Sequence, residues 1–225
     1  MIYHKIIEQL TSEFEQNADI ALAEKMAKYM RNLFPFYGIQ KPNRKIVVKP
    51  FLKELIARSI PENTEEIVRI LWDKPQREFQ YVCMEYAEKT QKLWHSESSI
   101  QLFEELIVAK SWWDSVDFIA SHLVGAYFLQ WNSQLPEIID NWNNSENMWL
   151  NRTAIIFQLF YKEKTDTELL TKVIDTHTKS KEFFIQKAIG WSLRQYGYTN
   201  PEFVRDYVKQ HSLAPLSKRE ALKNL

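Results

Sequence analysis

The chain has 225 residues, 29 basic and 29 acidic, and 45% of it is hydrophobic, including 13 Phe, 10 Tyr and 8 Trp. That is ample material for a continuous core, and an elongated repeat array can remain one domain at this length, so a single domain over residues 1–225 is expected. Only 4 Gly and 8 Pro argue against a sheet protein rich in hairpins, and the lone Cys83 excludes an intramolecular disulfide or a cysteine-rich zinc site.

Along the chain, apolar residues recur three or four apart, the spacing of one helix face. Ile6, Leu10 and Phe14 form one set, and Ile20, Leu22, Met26 and Met30 a second. Glu8, Glu13 and Glu15 interrupt the first set, so a signal peptide is not expected. No uncharged apolar run is long enough to span a bilayer, and the chain is read as cytoplasmic with no membrane partner. Pro35, Gly38 and Pro42 mark a break, after which a helix resumes over 51–58. Another opens at 63–66 and closes near Pro75. Helices are predicted over 79–93, 100–110, 112–130, 136–143, 147–161, 167–179, 183–196 and 200–210. Cys83 falls in the apolar run 81–84 and reads as a buried, inert thiol. No segment alternates as a strand ladder does, so the fold class is all-α.

A period of about 35 residues links the later helices. Trp149-Leu150-Asn151-Arg152 aligns with Phe184-Ile185-Gln186-Lys187, and the same step backwards from Arg152 reaches Asp117. Such a period fits HEAT-like helical hairpins stacked into a curved α-solenoid with a concave groove. Equivalent positions then lie on one wall, which places Asp117, Arg152 and Lys187 on one surface. Helical spacing adds Trp113 beside Asp117, and Trp191 and Arg194 beside Lys187.

Charge is unevenly distributed. Between 25 and 58 stand nine basic residues, among them Lys25, Lys28, Arg31, Arg44 and Arg58, against one acid, Glu54. From Leu150 onward there are 13 basic and 8 acidic residues, while acids gather at 62–66 and between Glu97 and Glu105. Basic ends around an acidic middle fit two faces of one molecule, and ordinary solvated helix surfaces fit equally well.

The stretch 110–117, Lys110-Ser111-Trp112-Trp113-Asp114-Ser115-Val116-Asp117, is the most unusual. Ser111 and Asp114 have the spacing of a capping box, which assigns Asp114 to the helix start. Trp112 reads as core. Asp117 lies one turn further in, with no capping duty. Arg152 and Lys187 are either phosphate clamps or surface charges. Gly190 implies close helix approach or room for the neighbouring indole of Trp191. The five histidines, His4, His95, His122, His177 and His211, are scattered. With no paired ligand spacing and no glycine-rich phosphate loop, neither a metal site nor a nucleotide cofactor is expected. His122 reads as structural.

The stretches 110–117, 149–152, 181–191 and 216–221, with Met26-Ala27-Lys28-Tyr29-Met30 and Phe36-Tyr37-Gly38-Ile39-Gln40-Lys41-Pro42, resemble the AlkD family of DNA alkylation-repair glycosylases. The resemblance runs in order over nearly the whole chain. It implies HEAT-like repeats whose concave face holds duplex DNA, with Trp113, Asp117 and Trp191 as the active-site trio and Arg152 as a DNA contact. Tyr29 and Arg194 fall on positions that also face DNA in the family. Lys187, Lys28 and Arg44 are added here as phosphate contacts. Two departures stand out: Phe160 replaces an expected basic residue, with Lys162 two further on, and the family implies a C-terminus slightly beyond Leu225.

The activity so implied is hydrolysis of the N-glycosidic bond of cationic N3- or N7-alkylated purines in double-stranded DNA. No lysine is placed as an obvious Schiff-base nucleophile, so a monofunctional enzyme without cofactor is expected. Asp117 would stabilise the oxocarbenium-like sugar and position the attacking water. The partner is duplex DNA containing alkylated bases. No obligate protein partner is expected, and the chain is read as a monomer. Two other readings stay open: a non-catalytic HEAT-repeat module that binds DNA, and a solenoid whose groove takes a peptide.

Overall fold

The structure, a computed structural model, describes residues 2–93, 96 and 98–225. Of the residues named above, His95 and Glu97 lie outside these. The described residues contain helices and no strand, so the all-α expectation holds. The chain folds as two compact units, Met1–Ser96 and Glu97–Leu225, each taken by itself below. No helix among the described residues is long and apolar enough to cross a membrane, and they contain no cluster of His, Cys, Asp and Glu able to hold a metal ion.

The first unit comprises α1 (Ile2–Gln16), α2 (Ile20–Tyr29), α3 (Lys41–Ala57), α4 (Pro61–Asp73) and α5 (Arg77–Lys89). α1 buries Tyr3, Ile6, Ile7, Leu10 and Phe14, the stripe its periodicity predicts. α2 starts where Asp19 accepts the Leu22 N–H at 2.9 Å, yet it buries none of its residues. α3 begins well before the predicted restart at residue 51. Pro42 sits in its first turn, where a missing N–H costs nothing, and the helix passes through Pro50 on its exposed side. Pro42, taken as part of the break, lies inside that helix. α4 likewise starts before the predicted 63. Asn63 reaches back, accepting the Ile60 N–H and donating to the Arg58 carbonyl, both at 3.0 Å. Cys83 is buried, as expected.

The segment between α2 and α3 closes on a buried carboxyl group. Glu78, fully enclosed on α5, accepts the backbone N–H groups of Tyr37, Gly38 and Ile39 at 3.0–3.1 Å. Gly38 makes the turn with φ +89°, and a Cβ there would lie 2.1 Å from the Asp19 carbonyl oxygen. Only glycine meets both conditions. Beside Glu78, the buried Arg77 lays its guanidinium 4.0 Å over the Phe34 ring.

The second unit runs through α6 (Ser99–Val108), α7 (Trp113–Phe118), α8 (Gly125–Gln130), α9 (Leu135–Asn143), α10 (Met148–Ile156), α11 (Thr167–His177), α12 (Phe183–Gly197), α13 (Pro201–Gln210) and α14 (Pro215–Ala221). α7 continues into α8 through Ile119–Val124, whose turns are wider than α-helical; the Gly125 N–H donates to the Ala120 carbonyl, five residues back. α7, α10 and α12 begin at Trp113, Met148 and Phe183, 35 residues apart each time, and α10 packs against both of the others. The period read from the sequence is therefore a structural repeat. Gly125 lies against the Phe157 carbonyl, 2.5 Å from where its Cβ would be, and Tyr161 donates its hydroxyl to the Gly125 carbonyl at 2.7 Å.

The capping box does not form. Lys110 turns the chain at φ +53°, and Ser111 donates its hydroxyl back to the Ile107 carbonyl at 2.6 Å. Trp112, in extended conformation, stands at the cap position of α7 instead. α14 follows the last helix that the apolar periodicity predicts; its register is set by packing on α12.

Removing the Glu78 carboxyl strands three backbone donors, at about 1 kcal/mol or more each. Glu78→Ala is expected to lower the unfolding free energy by roughly 3 kcal/mol or more in urea denaturation, with Glu78→Gln losing less.

Candidate functional site

α7 carries Trp113 and Asp117 one turn apart. Opposite them, Arg152 enters from α10 and binds Asp117 through two parallel bonds, Nε to Oδ1 at 2.6 Å and Nη2 to Oδ2 at 2.8 Å. Its remaining nitrogen, Nη1, donates to the Phe184 carbonyl in the first turn of α12. One guanidinium thus joins three consecutive repeats. The fork geometry of arginine makes this possible, and lysine could not reproduce it. The Arg152 side chain is 5% exposed and that of Asp117 15%. Around the pair, Trp112, Trp149 and Phe184 pack with ring centroids 5.1–5.8 Å apart.

Burial pushes the Asp117 carboxyl above the ordinary aspartate range; the Arg152 bonds and charge oppose the rise, and Asp114 adds to it. The Arg152 head group is turned inward onto Asp117 and the Phe184 carbonyl, neither a free surface charge nor a clamp that stands apart from the carboxylate.

A second constellation forms on α12. Phe184, Lys187, Trp191 and Arg194 follow one another at helical spacing along one stripe. Lys187 and Arg194 both reach Glu220 of α14: Nζ to Oε1 at 3.2 Å and Nη1 to Oε2 at 2.8 Å. Arg194 Nη1 also donates to the Glu220 carbonyl at 3.2 Å. Led by the Arg194 bond, these cations hold the Glu220 carboxyl below its ordinary range. Gly190 permits the approach, since a Cβ there would sit 2.4 Å from the Glu220 Cβ. The close-approach reading of Gly190 is correct. Glu220 was missed: it lies inside the stretch 216–221, but nothing in its spacing pairs it with Lys187 and Arg194.

Trp113 and Trp191 are both partly exposed. The structure joins Asp117 to Arg152 and sends Lys187 and Arg194 to Glu220, so the predicted row resolves into two charged groups. Phe160 is exposed and packs edge-on against His122 at 5.2 Å, which stacks on Phe118 at 4.4 Å. An aromatic stack thus occupies the position where a cation was expected, and Lys162 stands in the turn beyond it at φ +53°. In the first unit, Lys28 and Tyr29 are exposed, and Arg44 covers the Tyr81 ring at 4.3 Å. Burial lowers the Arg44 pKa.

Helices repeating every 35 residues around an enclosed carboxylate–guanidinium pair define an all-helical repeat protein. Residues 10–225 match the family described as DNA alkylation repair enzyme, and the chain belongs to that family. A solved structure described as a predicted DNA alkylation repair enzyme from Enterococcus faecalis is similar to it. The two are 38% identical with a TM-score of 0.84, over 92% of this chain and 96% of the other. No curated protein sequence matches. The family places the protein in the repair of alkylated DNA.

Truncating Arg152 leaves the Asp117 carboxyl buried without its partner. Arg152→Ala is expected to cost about 3–5 kcal/mol of stability. Carbon-13 NMR titration should place the Asp117 midpoint above that of ordinary aspartates in the wild type, and higher again in this variant.

Proposed function

We propose that the protein is a monofunctional DNA glycosylase that hydrolyses the N-glycosidic bond of cationic N3- or N7-alkylated purines in duplex DNA. The observation that carries this reading is Asp117, a carboxylate held by both oxygens in a largely enclosed position beside the partly exposed Trp113.

Cleaving the bond between C1′ and the purine nitrogen sends the bonding electrons to the base, which departs neutral because it began as a cation. The sugar is left oxocarbenium-like. A carboxylate beside that centre lowers the barrier electrostatically, most effectively in a site shielded from bulk water. Water then adds to C1′ and releases a proton, which Asp117 can take. Burial raises the proton affinity of its carboxyl, which suits that role. Arg152 fixes the carboxylate plane while each oxygen keeps a lone pair free. No general acid is needed and no covalent imine forms, so the reading has no strand-cleaving step and no cofactor. Trp113 and Trp191 offer indole faces to the cationic nucleotide, about 0.5–2 kcal/mol for each contact. Lys187, Arg194, Tyr29, Lys28 and Arg44 contact the backbone.

A second reading, a non-catalytic DNA-binding module, draws on the same pair. A carboxylate fully engaged by an arginine is also what a purely structural link between repeats provides.

Release of free base from alkylated duplex separates the two. Asp117→Asn is expected to slow release roughly 10- to 1,000-fold, about 1.4–4 kcal/mol, while binding to undamaged duplex persists. The wild-type rate should fall on acidification, because a protonated Asp117 cannot stabilise a cation, with a midpoint above the ordinary aspartate range. Base release unaffected by the substitution would sink the role given to Asp117. No release with DNA still bound would favour the second reading.

A further inference from the structure

The contact between α12 and α14 holds Glu220, a residue outside the row that the 35-residue period picks out. Glu220 docks over Gly190, where any side chain on the facing residue would collide with its Cβ and, at 2.9 Å, with the Ser217 carbonyl. Ser217 adds a bond from its hydroxyl to the Gln186 carbonyl at 2.9 Å. From that point the two carboxylate oxygens diverge, one to Lys187 and one to Arg194. These cations stand one turn before and one turn after Trp191. The Glu220 side chain is 13% exposed, that of Arg194 20% and that of Lys187 38%, so the cations are the more exposed members of the group.

We propose that Glu220 is a positioning residue, which fixes the Lys187 and Arg194 head groups on either side of Trp191 and in doing so lowers the protein's attraction for DNA. The inference rests on the proposed roles of those three residues in a DNA glycosylase. Left alone, two long cationic side chains sample many rotamers and repel each other. A shared carboxylate holds both in one arrangement, with Trp191 on the turn between them. It also subtracts one charge from a pair that would otherwise present two to the phosphate backbone. Lys187 keeps further N–H groups, and Arg194 its Nε and Nη2, to offer a phosphate without leaving Glu220. The carboxylate therefore exchanges some affinity for position.

A merely structural residue, when lost, weakens binding and chemistry together. Glu220 should separate them. Glu220→Gln keeps the packing over Gly190 but removes the charge. In the full chain it is expected to bind undamaged duplex roughly 3- to 10-fold more tightly at low salt, with a salt dependence steeper by up to about one charge. Single-turnover release from alkylated duplex should slow about 10-fold, because the two cations flanking Trp191 no longer hold the backbone in one arrangement. Glu220→Asp keeps the charge and shortens the reach, so affinity should stay within about 2-fold of the wild type while release is again slowed.

Weaker binding and slower release together in Glu220→Gln overturn the proposal, as does release at the wild-type rate in both variants. If circular dichroism shows that neither variant folds, Glu220 is a member of the core and the assignment fails. Absence of base release by the wild-type protein overturns the proposed function itself; tighter binding by Glu220→Gln then still supports the charge half of the proposal.

Discussion

Arg152 commits its whole guanidinium to two neighbours, the Asp117 carboxylate on α7 and the Phe184 carbonyl at the start of α12. Burying a charged pair gives little net stability, because desolvation offsets most of the attraction. What it provides is register. A helix shifted by one residue along its neighbour would leave an enclosed charge without a partner, at a cost that alternative packings cannot absorb. Buried apolar side chains such as Ile155, Val116 and Ile189 supply cohesion in the same unit, but tolerate sliding more readily. The pair decides which packing is unique, and it leaves Asp117 with a fixed plane and a raised proton affinity.

Elsewhere in the second unit, close approach is achieved by omission of side chains. Gly125 lets the Phe157 carbonyl come against the end of the wide-turn segment, and Gly190 lets α14 lie on α12. Both glycines are helical, where glycine is disfavoured by about 1 kcal/mol relative to alanine. The packing they permit compensates. In one case a tyrosine hydroxyl reaches the glycine carbonyl; in the other, a glutamate meets two cations. The wide turns begin two residues after Asp117, whose own carbonyl is taken up by the Ser121 hydroxyl at 2.6 Å.

The first unit solves a different problem with the same chemistry. Its link between α2 and α3 is irregular and would leave backbone donors without partners, and the buried Glu78 carboxyl accepts three of them in a row. In each unit an enclosed acid therefore organises structure from inside, Glu78 by taking backbone donors and Asp117 by taking the buried Arg152.

The sequence by itself determined the helical class and the 35-residue period, because burial of one helix face imposes a three-to-four spacing that survives in any context. It also singled out Asp117, Arg152, Lys187 and Trp191 as a related set, through that period and the family resemblance. What it left undecided was pairing. Two cations 35 residues apart look equivalent in sequence, yet Arg152 turns inward to Asp117 and Lys187 outward to Glu220. That choice depends on which acid lies within a few ångströms, a distance set by helix packing and by glycines such as Gly190. Helix starts at Lys41 and Pro61, and the failed cap at Ser111, were hidden for a related reason. Local signals state what a residue can do, and only tertiary structure decides whether its partner is Ile107, the next helix or solvent.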